Sequence, residues 1–307
     1  MNQLPRFSYD DLGEMIKRAP KSTFFLLCAI SAAVALRSLR ETLWLATHDE
    51  EYTHLLLILP IVAALVWLEW RSLESLLEPG FRVGLILLCI SLLVAGFARL
   101  RIDLPPDEHL TGNMLALVIW LVGGFVLCFG TRVSRSLLFP LGFSFLLVPL
   151  PRFLVNGIVA WLQQGSALAA HFLLSVSQVP VVQDGLLISI PGLTVEVARE
   201  CSSIRSSSML LVTTMVFAQL FLRTPWRKWL VILLAIPISV IKNGLRIFTI
   251  AMLATRVDPA YLTGKLHHEG GVVFFSIGLG GIFLVTWILR RNERAVSPKP
   301  MLSPSSG

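Results

Sequence analysis

The stretch EVARECSSIRSSSMLLVTTMVF, residues 196–217, decides the fold because a charged segment runs directly into an apolar one. The charged part contains Glu196, Arg199, Glu200, Cys201 and Arg205, whereas residues 206–217 carry no charge. A charged segment followed by an apolar run is typical of a helix that enters a bilayer. Two glutamates, two arginines and a cysteine therefore stand at the predicted membrane boundary.

The composition of the whole chain agrees with this interpretation. Its 307 residues are 55% hydrophobic and only 15% charged, with a mean hydropathy of +0.74. A soluble domain of this length has too little interior to bury so much apolar surface. The sequence predicts an all-α polytopic membrane protein.

The apolar runs predict about eight transmembrane helices, at 22–38, 53–70, 82–98, 113–130, 134–150, 200–222, 228–256 and 269–289. Together they form one multi-span membrane domain over residues 22–289. Residues 1–21 are predicted to be a cytoplasmic N-terminal segment. Residues 290–307 are rich in Pro and Ser and are predicted to be a disordered cytoplasmic tail.

Basic residues indicate the orientation. They cluster in loops at Arg71/Arg82, Arg132/Arg135, Arg223/Arg227/Lys228 and Arg290/Arg291/Arg294. The positive-inside rule places these loops and both termini in the cytoplasm. Because the basic residues cluster in these loops, the net charge of +7 does not indicate binding to nucleic acid. Four arginines count against this orientation because it leaves them outside: Arg37, Arg40, Arg99 and Arg101.

Residues 153–178 are predicted to lie along the outer interface because polar residues recur near the helical period on one stripe. A full crossing here would place Cys201 on the wrong side of the membrane for the basic loops that follow. After this helix, the turn signals Asp184-Gly185 and Pro191-Gly192 flank short β-branched runs and predict a small β-hairpin on the outer face.

Three polar residues meet at the outer face in this topology. Cys201 near a helix N-terminus is favoured as a thiolate, although an interfacial cysteine with no role is equally compatible with the pattern. Arg246 is costly inside a span unless it snorkels or faces a polar pocket. His267 has the chemistry of a base, and its neighbour His268 is a possible substitute. Arg205 and Asn243 lie close to these residues in the sequence.

Together, a thiolate, a guanidinium and an imidazole form a set suited to cysteine-based acyl transfer. A reaction centre at the membrane boundary implies a membrane-tethered polypeptide substrate. The cysteines lack metal-ligand spacing, so neither a metal site nor a cofactor is predicted.

Four local motifs resemble those of the exosortase/archaeosortase family of membrane transpeptidases. DEEYTHLLLI at 49–58 is similar to its Asp-x-x-Tyr-Ser-His segment, and VEVARECSSIRSS at 195–207 to its Val-Ala-x-x-Cys-Ser-Gly-Ile-Arg-Ser block. NGLRIF at 243–248 resembles Asn-x-x-Arg-Ile, and HHEGGVVFF at 267–275 resembles His-x-x-x-Gly-x-x-x-Phe. The departures are Ser203 in place of Gly, Glu50 in place of Pro and Thr53 in place of Ser.

This resemblance implies catalytic roles for Cys201, Arg246 and His267. It implies substrate-binding roles for the remaining matched or adjacent residues, which are Arg205, Asn243, His268, Tyr52 and His54. The implied activity is cleavage of a C-terminal sorting signal of the Pro-Glu-Pro (PEP-CTERM) type on secreted proteins, at the periplasmic side of the bacterial inner membrane. The implied intermediate is a thioester, and the acyl acceptor is left open between a lipid, a polysaccharide and water.

Three other classes of protein remain as alternatives. A transporter would place polar residues near the midplane, often with internal repeats, and no repeat is visible. A metalloprotease would use HHE at 267–269, but His-Glu-x-x-His is absent. A non-enzymatic factor for exopolysaccharide or protein export would be insensitive to Cys201→Ala.

Overall fold

The computed structural model describes residues 19–101, 103–197, 204–258, 260 and 271–296, with side chains to residue 293. The chain divides into two compact units, residues 1–155 and 156–307. Within the described residues, six helices are long and apolar enough to cross a bilayer, and the number rises to eight if each of two bent helix pairs is one span. The predicted fold class is therefore confirmed. The predicted domain boundaries stay a prediction.

The first unit begins with two helices where one span is predicted at 22–38. Helix α1 (Pro20–Val34) and helix α2 (Leu36–His48) meet at a bend of 76°. A 3₁₀ turn at Glu50–Tyr52 leads into α3 (Leu55–Leu73). The long helices α4 (Phe81–Leu100) and α5 (Pro106–Phe129) follow.

Helices α4 and α5 pack closely because two glycines lie at their contact. A Cβ on Gly84 would be 2.6 Å from the Cα of Leu127, and one on Gly123 would be 2.9 Å from the Cβ of Leu87. Small residues of this kind allow two membrane helices to approach. The buried Ser91 hydroxyl also donates a hydrogen bond to the Ala116 carbonyl at 2.7 Å.

The predicted span 134–150 is wrong as a single helix. The chain forms two six-residue helices, α6 (Thr131–Ser136) and α7 (Leu138–Phe143), and then a 3₁₀ turn at Ser144–Leu147. Leu137, at the start, is buried in the core with Phe129, whereas the Pro149 carbonyl accepts from Thr111, near the other end of α5, at 2.8 Å. The segment therefore still runs from one end of the unit to the other.

The two ends of the first unit differ in their polar contacts. At one end, which we call the basic end, Lys21 pairs with Glu74 at 3.0 Å and Arg132 lies 3.7 Å from Glu78. At the opposite end, three contacts involve the segment 149–152: Thr111 to Pro149, Tyr52 to Leu150, and Asp107 to the backbone N–H of Arg152.

The second unit contains most of helix α8 (Arg152–Val176), a sheet and three helices. The sheet has strands β1 (Val182–Asp184), β2 (Leu187–Ile190) and β3 (Leu193–Glu196), all antiparallel in sequence order. The predicted hairpin therefore has a third strand. Both predicted turns are present, with Gly185 at φ +59° and Gly192 at φ +82°, where glycine is favoured.

Helices α9 (Ile204–Phe221), α10 (Pro225–Arg256) and α11 (Gly271–Val296) complete the second unit. One apolar cluster joins α8, the sheet and α10, and another joins α9, α10 and α11. Helix α10 has 32 residues, or about 48 Å at 1.5 Å per residue. It is longer than the ~30 Å hydrocarbon core, so it tilts or extends beyond it.

The second unit also has one basic end. The guanidinium of Arg227 donates to the Leu289 carbonyl at 2.8 Å. Glu293 accepts from the backbone N–H groups of Arg223 and Thr224 at 3.1 and 2.9 Å. Two of the predicted cytoplasmic loops, 223–228 and 290–294, therefore lie at one end of this unit.

Candidate active site

The candidate site is built on one buried polar turn of α10. Lys242, Asn243 and Arg246 expose only 4%, 0% and 7% of their surface. Residues four apart share a helix face, so Lys242 and Arg246 bring two positive charges together. Arg246 lies ten residues before the last residue of the helix, as predicted, and its side chain is enclosed by protein. The Arg246 side chain therefore does not snorkel along the lipid.

Helix α9 contributes hydroxyl groups to this polar turn. The Lys242 ammonium donates a hydrogen bond to the Ser206 hydroxyl, and the Ser239 hydroxyl donates to the Ser207 hydroxyl at 2.6 Å. No carboxylate in the described part of the chain pairs with Lys242. Burying a charge without a counterion is unfavourable, and a like charge one turn away adds to the cost. Such a polar arrangement in a membrane helix indicates function.

Two glycines hold the polar turn in place. A Cβ on Gly244 would lie 2.4 Å from the Ala169 Cβ of α8, so α10 and α8 touch through their backbones. A Cβ on Gly278 of α11 would lie 3.2 Å from Cδ of Lys242. Gly278 therefore leaves room for the aliphatic part of the lysine. These contacts fix the turn between three neighbouring helices.

Gly244→Ala is expected to destabilise the protein because the added methyl overlaps the Ala169 side chain and must push α10 away from α8. We expect the midpoint of thermal unfolding in detergent to fall by about 5 °C or more, the shift that a few kcal/mol produces. Gly280→Ala is the matched control, because nothing lies within 4 Å of a Cβ at Gly280. Equal midpoints for the two variants would contradict this close contact.

The segment that leads to Cys201 is anchored at Val197. The Val197 side chain is fully buried. Its backbone N–H donates to the Leu186 carbonyl at 2.9 Å, and its carbonyl accepts from the Gln163 side chain at 2.8 Å. Three separate contacts therefore fix the chain four residues before Cys201.

The predicted site residues are distributed over several parts of the chain. Cys201, His267 and His268 lie outside the described residues. The described chain resumes at Ile204, where α9 begins, and at Gly271, where α11 begins. Arg205 is exposed in the first turn of α9. Asn243 and Arg246 lie together on α10, next to the hydroxyls of α9. Their roles stay predictions.

Tyr52 and His54 belong to the first unit. Tyr52 is 3% exposed, and its hydroxyl donates to the Leu150 carbonyl at 2.8 Å. Its contact shows a role in holding the 3₁₀ turn against the segment before α8. His54 is half-buried directly before α3. Among the residues that the structure describes, no group of three His, Cys, Asp or Glu side chains is placed to hold a metal ion.

Sequence reasoning missed the contacts that organise the site. Lys242 carries a signal of its own, because a lysine in a predicted span is costly and lies four residues before Arg246. Gln163 is visible only as a polar residue in an amphipathic helix. The partners of both side chains depend on helix packing, which the sequence pattern does not specify.

The fold and this buried cationic turn define the class: a multi-pass helical membrane protein with a polar site enclosed among its spans. The chain belongs to the transmembrane exosortase family, whose family model matches residues 44–284. The matched range contains Cys201, Arg246 and His267. The resemblance to this family is thereby confirmed. Neither a curated protein nor a solved structure matches the chain.

Proposed function

We propose that this exosortase is a cysteine peptidase or transpeptidase that cleaves a C-terminal sorting signal of the PEP-CTERM type from secreted proteins. The observation that carries the proposal is the buried cationic turn of α10. It lies against the helix that follows Cys201, through the contact between Lys242 and Ser206. A nucleophile placed five residues before Ser206 meets a positive field that favours its thiolate.

The proposed reaction uses three groups. The Cys201 thiolate attacks the scissile carbonyl and forms a C–S bond, and Arg246 stabilises the oxyanion. The C–N bond then breaks, and His267 gives a proton to the leaving amine, which leaves a thioester. An acceptor amine, hydroxyl or water attacks the thioester, loses its proton to His267 and releases the Cys201 thiolate.

The reaction is proposed to take place at the periplasmic face of the bacterial inner membrane. In the second unit, the basic loops lie at the end of α10 that contains Arg227. Arg246 is ten residues from the other end, at Arg256. The positive-inside rule places the basic end in the cytoplasm, so the site lies toward the outer face.

The remaining predicted residues are proposed to hold the substrate. Arg205 is exposed at the start of α9, where its charge suits the glutamate of a Pro-Glu-Pro motif. Asn243 belongs to the buried cationic turn and brings a side-chain amide to it. His268, Tyr52 and His54 are also proposed to act in substrate binding, Tyr52 by positioning its neighbours.

The test is an immunoblot of a co-expressed reporter that carries a Pro-Glu-Pro signal, a transmembrane helix and a basic tail. We expect a smaller product with the wild-type protein and none for a control reporter whose motif is replaced by Ala-Ala-Ala. A thiol alkylator should abolish processing, and a chelator should have no effect. No product, with both proteins in the membrane, would favour a non-enzymatic export factor or transporter.

Lys242→Met is expected to separate stability from activity. The substitution keeps the side-chain volume but removes a buried charge next to Arg246, so we expect the midpoint of thermal unfolding to rise by about 3 °C. Processing of the reporter should fall by about tenfold, because the positive field at the site weakens. Lys228→Met, at the basic end, removes a hydrogen bond to Gln219 at 2.7 Å and should leave processing unchanged. A lower midpoint for Lys242→Met would contradict the proposed cost of this charge.

A further inference from the structure

The first unit contains a large cavity that the proposed reaction does not use. Its volume is about 820 Å³, and the residues that line it belong to α1, α2, α4 and α5, to the bend at Ala35 and to the segment between α4 and α5. Most of the wall is apolar, formed by Ile30, Val34, Leu92, Leu110, Leu117 and Trp120. None of the predicted catalytic or substrate-binding residues lines it.

Polar residues surround the mouth of the cavity. They are Arg37 and Glu41 on α2, Arg99 in the last turn of α4 and His109 in the first turn of α5. Because α4 starts at the basic end of the unit, this mouth lies at the opposite end. Trp120 lies 14 residues after Pro106, or about 21 Å deeper along α5. The cavity is therefore charged at its mouth and apolar in its deeper part.

Helix α2 places the mouth at the level of the lipid headgroups. It bends by 76° from α1, and it exposes Leu36, Leu43 and Trp44 as well as charged side chains. An amphipathic helix with an exposed tryptophan lies in the membrane interface. The bend at Ala35 therefore directs α2 along the interface, beside the opening.

The arginines at the mouth have free hydrogen-bonding capacity. The Nε of Arg37 donates to Glu41 at 2.9 Å, which leaves its two terminal nitrogens available. Arg99 is exposed and forms no ion pair within the described residues. A guanidinium fork matches the oxygens of a phosphate group. A role at this mouth also accounts for arginines that the positive-inside rule leaves unexplained on the outer side.

We propose that this cavity binds one phospholipid with an anionic headgroup from the outer leaflet. The phosphate lies between Arg99 and Arg37, with His109 beside it, and one acyl chain follows Leu110 and Leu117 toward Trp120. A depth of about 21 Å exceeds half of the ~30 Å hydrocarbon core, so an acyl chain of one leaflet fits. Glu41 orients Arg37 and leaves the mouth with a net positive charge.

The test is native mass spectrometry of the full-length protein, purified in detergent and titrated with phosphatidylglycerol or with phosphatidylcholine of the same acyl chains. We expect one phosphatidylglycerol to bind about tenfold more tightly than phosphatidylcholine, because the choline ammonium cancels the charge of the phosphate and is repelled by the positive mouth. Arg99→Gln should weaken this binding by about tenfold. Ala95→Phe, which fills the cavity, should weaken both lipids.

Two matched variants are the controls. Arg40→Gln removes a charge from α2 at a position that does not line the cavity, and Leu93→Phe adds an aromatic ring to an outward-facing position of α4. Both should bind phosphatidylglycerol as the wild type does. Equal affinity for the two lipids, equal effects of test and control variants, or competition by free glycerophosphate at the concentration of the lipid would each overturn the proposal.

Discussion

Replacing Cys201 with alanine is expected to abolish processing of a reporter that carries a Pro-Glu-Pro sorting signal. The proposed reaction passes through a thioester, and without the thiol no covalent intermediate forms. We expect the processed band to fall by at least about 10³-fold, since loss of the nucleophile removes the whole catalytic unit. The measurement is an immunoblot of the reporter with the variant at the wild-type membrane level.

Two further substitutions sharpen this test. Cys201→Ser should leave at most a trace of product, because a serine hydroxyl lacks the low pKa of a thiol in a positive field. Cys89→Ala is the matched control, because Cys89 is an exposed cysteine inside the span α4. Its activity should equal that of the wild type. Normal processing by Cys201→Ala would show that this cysteine is not the nucleophile.

Arg246→Ala is expected to have the second largest effect. The side chain is 7% exposed on the polar face of α10, where a guanidinium can stabilise developing negative charge without competition from water. Loss of one such donor costs about 10²–10³-fold in the rate of the chemical step. The measurement is the initial rate of reporter processing in membranes that contain equal amounts of each protein.

The control for Arg246 must separate chemistry from folding. Arg256→Ala also removes an arginine side chain from α10, but from its exposed last turn, and should leave the rate unchanged. Arg246→Lys keeps the charge but loses the planar fork, so it should recover only part of the rate. If Arg246→Ala retains the wild-type rate with normal thermal unfolding, the arginine has no catalytic role.

The features of the fold that depend on local sequence were predictable. The hydropathy of the chain predicted the class, an all-α polytopic membrane protein. Gly185 and Gly192 marked the turns of the sheet because their positive φ values favour glycine. The span at 134–150 was not predicted correctly, since apolar composition does not distinguish one long helix from short pieces with a 3₁₀ turn.

The candidate site was predictable only in part. Arg246 and Asn243 were identified from their cost inside a span and from a motif, and both are buried together on α10. The contact of Lys242 with Ser206 was not predictable, because it depends on the packing of α9, α10 and α11 around Gly278. The anchoring of Val197 by Gln163 joins residues 34 apart in the chain and leaves no local signal.

The most direct test of the central claim is to isolate the thioester. The wild-type protein and the reporter are mixed, quenched in acid and digested, and the peptide that contains Cys201 is examined by mass spectrometry. The proposed mechanism predicts that the Cys201 thiol in this peptide is joined to the last peptide of the N-terminal cleavage product, which ends at the scissile carbonyl. Neutral hydroxylamine should remove this adduct. Active processing with no adduct on Cys201, or with an adduct on a different residue, would contradict the mechanism.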